Sequence, residues 1–433
     1  MQNYELTQLE AGGRVVSEKL PSVRSISLGL WIGAGSRYEE PDESGISHFI
    51  EHLLFKGGKR FNAIDIAQIF DSFGGELNAA TAREYTVVHA RFLDEHLEDA
   101  IEVMADMVIH PSFADIDLER EVVVEEIAMY EDSPGELIAD YLTQSIFGAH
   151  PLGKSVLGTT QIIGSVSPAD IRGYHSGHYT LPNMVVAAAG NIEQDRLVEL
   201  AKKHLAGGNG AQPHAASKPA PDVPVQAARD ACFYEKDTQQ YHVCFGGLGI
   251  PRHSEQRFAL SILDSILGGT ASSRLFQEVR DKRGLAYSVY SYTSSYSDTG
   301  LVGIYFGCRG DSVAEVTRII AGQIESLADE GVREDEFLRA KESAKGRVVL
   351  GMETTHSRMS RLGKLSVTDT EILGLDEIIA RIDAVTTDDV SELVRNYYRL
   401  TNLAAVAIGP DAGVLEKALG ILGGERLMMV KES

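Results

Sequence analysis

The segment VSPADIRGYHSGHYTLPNMVVAAAG at residues 166–190 decides the fold, because its pattern recurs as VTTDDVSELVRNYYRLTNLAAVAIG at residues 385–409. The two copies align without gaps at a constant offset of 219 positions. Four identities within them are Tyr179 with Tyr398, Leu181 with Leu400, Asn183 with Asn402, and Gly190 with Gly409. A gap-free match of this length is hard to obtain by chance, so the sequence predicts two homologous halves.

Between the two copies lies a stretch without helical or strand periodicity. Residues 206–228, AGGNGAQPHAASKPAPDVPVQAA, are rich in alanine, proline and glycine, a composition typical of linkers. We therefore predict an N-terminal half at 1–208, a linker at 209–228 and a C-terminal half at 229–433.

Both halves are predicted to follow a similar order of elements. The first is predicted to contain a strand at 25–32, helices at 44–55 and 63–73, strands at 76–78 and 86–92, and a helix at 94–109. The second is predicted to contain a strand at 241–245, a helix at 254–267, an amphipathic piece at 273–280, strands at 286–292 and 300–308, and a helix at 313–329. Helices grouped between hairpin-like strands predict an α+β fold, in which each half is a largely antiparallel sheet with helices packed on one face.

Composition narrows the class of protein. A chain of 433 residues with 43% hydrophobic and 24% charged residues is folded and too long for a single ordinary core. Its net charge of −23 argues against nucleic-acid binding, which needs clustered lysine and arginine, and favours basic partners.

The cysteines, the N-terminal residues and the apolar stretches indicate the cellular compartment of the protein. The three cysteines indicate free, buried thiols in a reducing environment. The first twenty residues lack a secretory signal pattern, and no stretch of eighteen apolar residues predicts a membrane span. We expect a cytoplasmic, bacterial protein, with a mature mitochondrial matrix form as the alternative.

The five residues HFIEH at 48–52 carry the strongest chemical signal. On a helix, His48, Glu51 and His52 fall in one stripe, so two imidazoles can bind one zinc ion and the carboxylate can reach a water bound to it. The alternative is a solvated polar helix face. The apolar run that follows, at 53–55, argues against that alternative. The order H-x-x-E-H is the inverse of the commoner zinc-protease motif.

Two histidines leave a hydrolytic zinc ion one protein ligand short. The best donor segment is LEREVVVEEI at 118–127, in which Glu119 and Glu126 share a helix face two turns apart. Spacing does not choose between these two glutamates, and an exposed acidic helix is the alternative. His89 has no ligand spacing, so a core or rim role is favoured for it over a role as a ligand.

These motifs resemble those of the pitrilysin- and insulysin-type M16 metallopeptidases, the inverzincins, and most closely the bacterial subfamily similar to mitochondrial processing peptidase. The match includes HFIEH and the two glutamates, and extends through residues 74–81, 84–86 and 151–159. The resemblance implies the fold of that family and one Zn²⁺ per chain. It makes Glu126 the third zinc ligand and Glu119 a nearby support, with Glu125 as the main alternative ligand.

The resemblance also implies further site residues. Arg280 and Tyr287 match the family's R-x6-Y element, which reaches the substrate, although residue types alone would make both structural. Tyr287 can donate a hydrogen bond to the oxyanion, and Arg280 can hold a carbonyl or carboxylate. Residues Asn78, Ala79 and Ala80 resemble the edge strand to which an extended peptide adds. The glycines at 268–269 match a short glycine-rich loop, but a helix stop is the favoured interpretation.

The sequence therefore predicts a zinc endopeptidase that cleaves basic or extended peptides and unfolded or presequence-like segments inside an enclosed chamber. Glu51 is the predicted general base on the zinc-bound water. A homodimer is expected because one chain carries both the zinc motif and the Arg280/Tyr287 element. A heterodimer with an inactive homologue is the alternative. Competing functions are a catalytically silent or structural subunit of a processing peptidase, and a peptide-binding chamber with structural zinc.

Overall fold

The computed structural model describes residues 4–205, 231–422 and 427–430. Within these residues the chain forms two compact units, and neither is continuous in sequence. The first unit contains residues 4–129, 154–205 and 349–374, and the second contains residues 130–153, 231–348, 375–422 and 427–430. The predicted linker at 209–228 lies outside the described residues.

The strands are, in chain order, β1 (Glu5–Gln8), β2 (Arg14–Lys19), β3 (Ser25–Ile32), β4 (Glu76–Thr81), β5 (Thr86–Leu93), β6 (Met184–Gly190), β7 (Ala231–Glu235), β8 (Tyr241–Gly249), β9 (Ala286–Ser295), β10 (Gly300–Cys308), β11 (Ala404–Gly409) and β12 (Leu427–Val430). The α-helices are α1 (Ile46–Leu54), α2 (Ala63–Ser72), α3 (Leu97–Ile109), α4 (Ile116–Glu131), α5 (Pro134–Phe147), α6 (Thr160–Ser165), α7 (Pro168–His178), α8 (Gln194–Leu205), α9 (Arg257–Leu267), α10 (Gly310–Asp329), α11 (Glu334–Leu350), α12 (Thr355–Val367), α13 (Leu375–Ala384), α14 (Thr387–Tyr397) and α15 (Gly413–Ile421). The predicted amphipathic piece at 273–280 contains a π-helical turn, Phe276–Asp281.

The first unit is built on a six-stranded sheet in the order β1-β2-β6-β3-β5-β4. All neighbours are antiparallel except β2 and β6, which run parallel. Among the described residues β4 pairs with β5 alone, so it lies at an edge of the sheet and one of its sides has no strand partner there. The predicted edge strand is thus found at an edge.

Both faces of this sheet are covered. Alternate side chains of a strand point to opposite faces, so Leu30 joins a core shared with α1 and α3, while Trp31 joins a second cluster on the other face. Met359 and Leu362 of α12 complete that second cluster. The sequence predicted helices on one face, and the structure adds α12 on the other. Burial on both faces explains why β3 and β6 are apolar almost throughout.

The second unit has a corresponding sheet in the order β12-β7-β11-β8-β10-β9. Its main core lies against α9, α10 and α14. On the other face α5 packs Leu142 and Ile146 against Val406 and Ile408 of β11. The predicted α+β fold with two sheets is therefore confirmed, and each sheet also receives one helix from a distant part of the sequence.

The repeated segments at residues 166–190 and 385–409 have the same local structure. α7 begins after Ser167, whose side chain and that of Asp170 form a capping box, and α14 begins in the same way after Thr386 with Asp389. Each copy then ends in a strand, β6 or β11, whose last residue is a glycine.

The cysteines and the helix lengths bear on two predictions made from composition. All three cysteines are buried and free, as the odd count predicted. Among the described residues, no helix combines the length and apolar character needed to cross a bilayer.

Candidate metal centre

Helix α1 carries the two histidines, and its start is fixed by the surrounding chain. Gly45 precedes it with a positive φ of 92°, and a Cβ there would lie 2.5 Å from the carbonyl oxygen of Leu157. The backbone N–H groups of Gly45 and Ser47 donate to the buried carboxylate of Glu39, at 2.8 and 2.9 Å. Burial raises the pKa of Glu39 to about 7. No spacing in the sequence signals this contact, and sequence reasoning missed it.

The remaining side of α1 presents the imidazoles. Ile46, Phe49, Ile50, Leu53 and Leu54 face the core of the first unit. The rings of His48 and His52, one turn apart, have centroids 4.7 Å apart and planes inclined at 74°. The apolar stripe of α1 therefore orients both imidazoles toward the same side.

Helix α4 brings a carboxylate to these rings. Glu126 places Oε2 at 3.1 Å from Nε2 of His52 and Oε1 at 3.7 Å from Nε2 of His48. One donor atom from each of His48, His52 and Glu126 lies within 4.8 Å of the others, and no comparable group of three occurs elsewhere in the described residues. The structure thus brings together three side chains that could hold a metal ion.

The other glutamates of α4 have different surroundings. Glu119 is buried, with Oε1 at 3.0 Å from Nδ1 of His52, and its second oxygen forms an ion pair with Lys56. This contact fixes the His52 ring with Nε2 directed toward Glu126. Glu125 is exposed and does not belong to the group of three.

Burial sets the protonation of the site. Burial, together with the nearby His52, lowers the pKa of His48 to about 4, so His48 is neutral at physiological pH. A neutral imidazole is the form that binds a metal ion. The Nδ1 atom of His48 is buried without a hydrogen-bond partner in the described structure.

Glu51 lies between the histidines but outside the group of three. Its Oε2 accepts a hydrogen bond of 2.5 Å from the hydroxyl of Thr81, the last residue of β4. Burial raises the pKa of Glu51, and the Thr81 hydroxyl opposes that shift. Sequence reasoning gave Thr81 no role, because neither the strand predicted at 76–78 nor the edge strand implied at 78–80 reaches residue 81.

The predicted substrate-binding residues lie on β4, at the free edge of the sheet. Asn78 and Ala80 are exposed and Ala79 is half-buried. Asn78 also lines a cavity of about 900 Å³, whose wall includes Phe55 and Leu77.

The two remaining predicted residues belong to the second unit. The guanidinium of Arg280 lies 4.3 Å from the centre of the Tyr287 ring, and Tyr287 is 77% exposed near the start of β9. The structure therefore brings Arg280 and Tyr287 together, whereas the other predicted site residues lie in the first unit. The glycines at 268–269 follow the end of α9, where both backbone N–H groups bond to the carbonyl of Asp264, as in a helix stop.

Comparisons with known proteins give a consistent assignment. Residues 14–160 match the model described as insulinase (peptidase family M16), and residues 165–344 match the model described as the peptidase M16 inactive domain. A Streptomyces coelicolor protein named an uncharacterized zinc protease is 42% identical over 90% of this chain and 86% of its own length. A Bacillus subtilis protein named in the same way is 39% identical, over 93% of this chain and 97% of its own.

Solved structures share the fold. A protease from Helicobacter pylori superposes with a TM-score of 0.86 at 23% identity, covering 94% of this chain and 99% of that one. An M16 inactive-domain protein from Pseudomonas fluorescens gives 0.84 at 21% identity, covering 95% and 99% of the two chains. From the family models and the close bacterial relatives together, it follows that this chain is a member of the M16 peptidase family.

Proposed function

We propose that this chain is a zinc-dependent endopeptidase acting on peptides and unfolded segments. The observation that carries the proposal is the convergence of His48, His52 and Glu126, with Glu51 on the same helix as the two histidines. Relatives named zinc proteases support the metal and the reaction class.

The donor set fits zinc. Two imidazole nitrogens and one carboxylate oxygen form a ligand set common in hydrolytic zinc sites, which keep another position open. His48 is already in its neutral, ligand form, and Glu119 orients His52 through Nδ1. We propose one zinc ion per chain. When bound, it would supply a Lewis acid that acidifies a water molecule and polarises the scissile carbonyl.

In this proposal, side chains of the protein transfer the proton of the attacking water, and the edge strand β4 binds the peptide substrate. Glu51 takes a proton from the attacking water and returns it to the leaving amine, and its raised pKa suits both steps. The free side of β4 offers backbone groups to an extended peptide, and the small side chains of Ala79 and Ala80 allow close approach. We further propose that the exposed Tyr287 donates to the substrate carbonyl oxygen, beside Arg280.

The decisive experiment compares Glu51→Gln with the wild type. We expect about one zinc per chain in both proteins by metal analysis. Cleavage of a fluorogenic basic peptide should fall by about a thousandfold or more in Glu51→Gln, because the general base is lost. Glu125→Gln, an exposed substitution on α4, is the matched control and should retain zinc and activity. Equal turnover by wild type and Glu51→Gln would refute the mechanism.

A second candidate function is a catalytically silent subunit that binds peptides or supports an active homologue. The match of residues 165–344 to the M16 inactive-domain model favours it. The candidate metal ligands lie outside that stretch, within the segment matched by the insulinase model. Absence of turnover in zinc-loaded wild type, together with retained peptide binding, would select the silent subunit.

The compartment and the oligomeric state of the enzyme are also proposals. We propose a cytoplasmic homodimer that encloses basic or extended peptides, with a heterodimer containing an inactive homologue as the alternative. The presence in one chain of both the zinc motif and the Arg280/Tyr287 element supports the homodimer. Light scattering of the purified chain distinguishes the two assemblies, because only a homodimer forms without a second polypeptide.

A further inference from the structure

A second pair of imidazoles lies on the wall of the cavity beside β4. His89 is on β5, directly opposite Asn78 of β4, and His356 is on α12. Both line the same cavity of about 900 Å³, within the first unit. Sequence reasoning favoured a core or rim role for His89 because no ligand spacing includes it; His356 lies 267 positions away along the chain.

The geometry of this pair is close to that of the first. The ring centroids of His89 and His356 are 4.9 Å apart with planes at 59°, compared with 4.7 Å and 74° for His48 and His52. Rings at this separation can direct one nitrogen each at a shared ion. Imidazole is a preferred ligand of divalent zinc, copper and nickel.

Few contacts within the described residues occupy the ring nitrogens. His89 has no hydrogen bond there, and the exposed His356 has a single long one, 3.4 Å between Nε2 and the hydroxyl of Ser360. Burial lowers the pKa of His89, and the neighbouring His356 lowers it further, which favours the neutral ring. A neutral ring has an unprotonated nitrogen available for a metal ion.

The charges around the cavity favour a cation over an anion. Its charged lining consists of Asp71, Glu76 and Arg91, and the guanidinium of Arg91 lies 3.6 Å from the carboxylate of Glu76. No carboxylate completes a group of three with these histidines in the described structure. Water or substrate atoms would therefore fill the other coordination positions, and binding would be weaker than at a three-ligand site.

We propose that His89 and His356 form a second, weaker site for a divalent transition metal ion beside the substrate edge strand. The ion would occupy space that Asn78 also borders, so its binding would oppose entry of the peptide. This inhibitory consequence rests on the proposed peptidase function, whereas the metal site itself does not.

Equilibrium dialysis against Zn²⁺, followed by metal analysis, tests the site. Wild type should bind one tight equivalent and a second that is at least about tenfold weaker, and His356→Ala should keep only the tight one. His48→Ala should lose the tight equivalent and keep the weak one. His253→Ala, at an exposed position of the second unit, is the matched control and should keep both. A weak equivalent that persists in both His356→Ala and His89→Ala would overturn the proposal.

Activity assays test the consequence separately. Excess Zn²⁺ should slow peptide cleavage by the wild type and by His253→Ala, and it should slow His356→Ala several-fold less, each protein being compared with its own rate without excess metal. Equal inhibition of all three would refute the inhibitory role. A chain that binds the weak equivalent but cleaves no peptide would support the site while refuting the peptidase. A chain that cleaves peptides but binds only the tight equivalent of Zn²⁺ would support the peptidase while refuting the second metal site.

Discussion

Thr81 acts directly on the proposed general base, although it lies thirty positions away from it in sequence. Its hydroxyl donates to the carboxylate of Glu51 and favours the ionised form, which opposes the effect of burial. Glu51 must be ionised to accept a proton, so activity should rise with pH through its pKa. Thr81 therefore orients this carboxylate and partly offsets the rise in its pKa that burial causes.

Thr81→Val removes the hydroxyl but keeps the shape of the side chain. We expect turnover to fall by about tenfold, the effect of losing one hydrogen bond to a charged group. The acidic limb of the pH–rate profile should move to higher pH, because the pKa of Glu51 rises when the donor is lost. Zinc content should not change, since Thr81 is not one of the three candidate metal ligands.

The control for this prediction is Thr401→Val, at an exposed position of the second unit. It should leave both turnover and the pH profile unchanged. A Thr81→Val profile with the same midpoint as that of the wild type would show that the hydroxyl does not tune Glu51.

At the scale of elements, α12 approaches the first sheet closely at a glycine. A Cβ at Gly363 would overlap the indole ring of the buried Trp31. Gly363→Ala should therefore destabilise the protein by about 1–3 kcal/mol. Alanine's better helix propensity, worth about 1 kcal/mol, offsets part of that cost. Chemical denaturation monitored by the fluorescence of the single tryptophan measures the change directly.

Gly173→Ala is the matched helical control. Gly173 lies inside α7, and a Cβ there would meet no atom within 4 Å. This substitution should stabilise the protein by about 0.5–1 kcal/mol. If Gly363→Ala and Gly173→Ala changed the free energy of unfolding in the same direction, contact with Trp31 would not control the packing of α12.

Periodicity in the sequence predicted most elements but not their distant contacts. The strands at 25–32 and 300–308 were predicted with the observed bounds, because their apolar runs are bounded by turn-forming residues. β4 extends three residues beyond the strand predicted at 76–78, since Ala79 and Ala80 have low strand propensity and form the strand by pairing with β5. That extension contains Thr81, which explains why the role of Thr81 was missed.

The candidate metal centre shows the same limit. Helical spacing alone placed His48 and His52 on one face and nominated Glu119 and Glu126 together. Distinguishing these glutamates required either the resemblance to the family or the packing of α4 against α1, because one helix carries no information about its neighbour. Glu39 has no periodic relation to the residues it contacts and could be found only in the folded structure.

At the scale of the whole molecule, the folded units differ from the linear halves. The first unit includes residues 349–374, and the second includes residues 130–153. A chain divided at the predicted linker would therefore separate α12 from the strands beside Trp31, and α5 from β8 and β11. Each fragment would expose an apolar sheet face and carry a helix without its partner.

We therefore expect fragments 1–208 and 229–433 to aggregate when each is expressed alone. Co-expressed fragments should associate and recover zinc binding, because every contact within the two units can then form. Affinity purification through a tag on one fragment, followed by metal analysis, measures both properties. A soluble, monomeric 1–208 fragment that binds zinc as tightly as the full chain would contradict the conclusion that the first unit needs α12 from residues 355–367.

The late position of α12 also affects how the protein is made. Ribosomes release the N-terminal segment first, and the candidate metal ligands all lie within the first 126 residues. The helix that covers Trp31, Val185 and Ala187 emerges only with residues 355–367. Through much of translation the nascent first sheet therefore lacks its cover, and its second apolar face can be buried only once residues 355–367 have emerged.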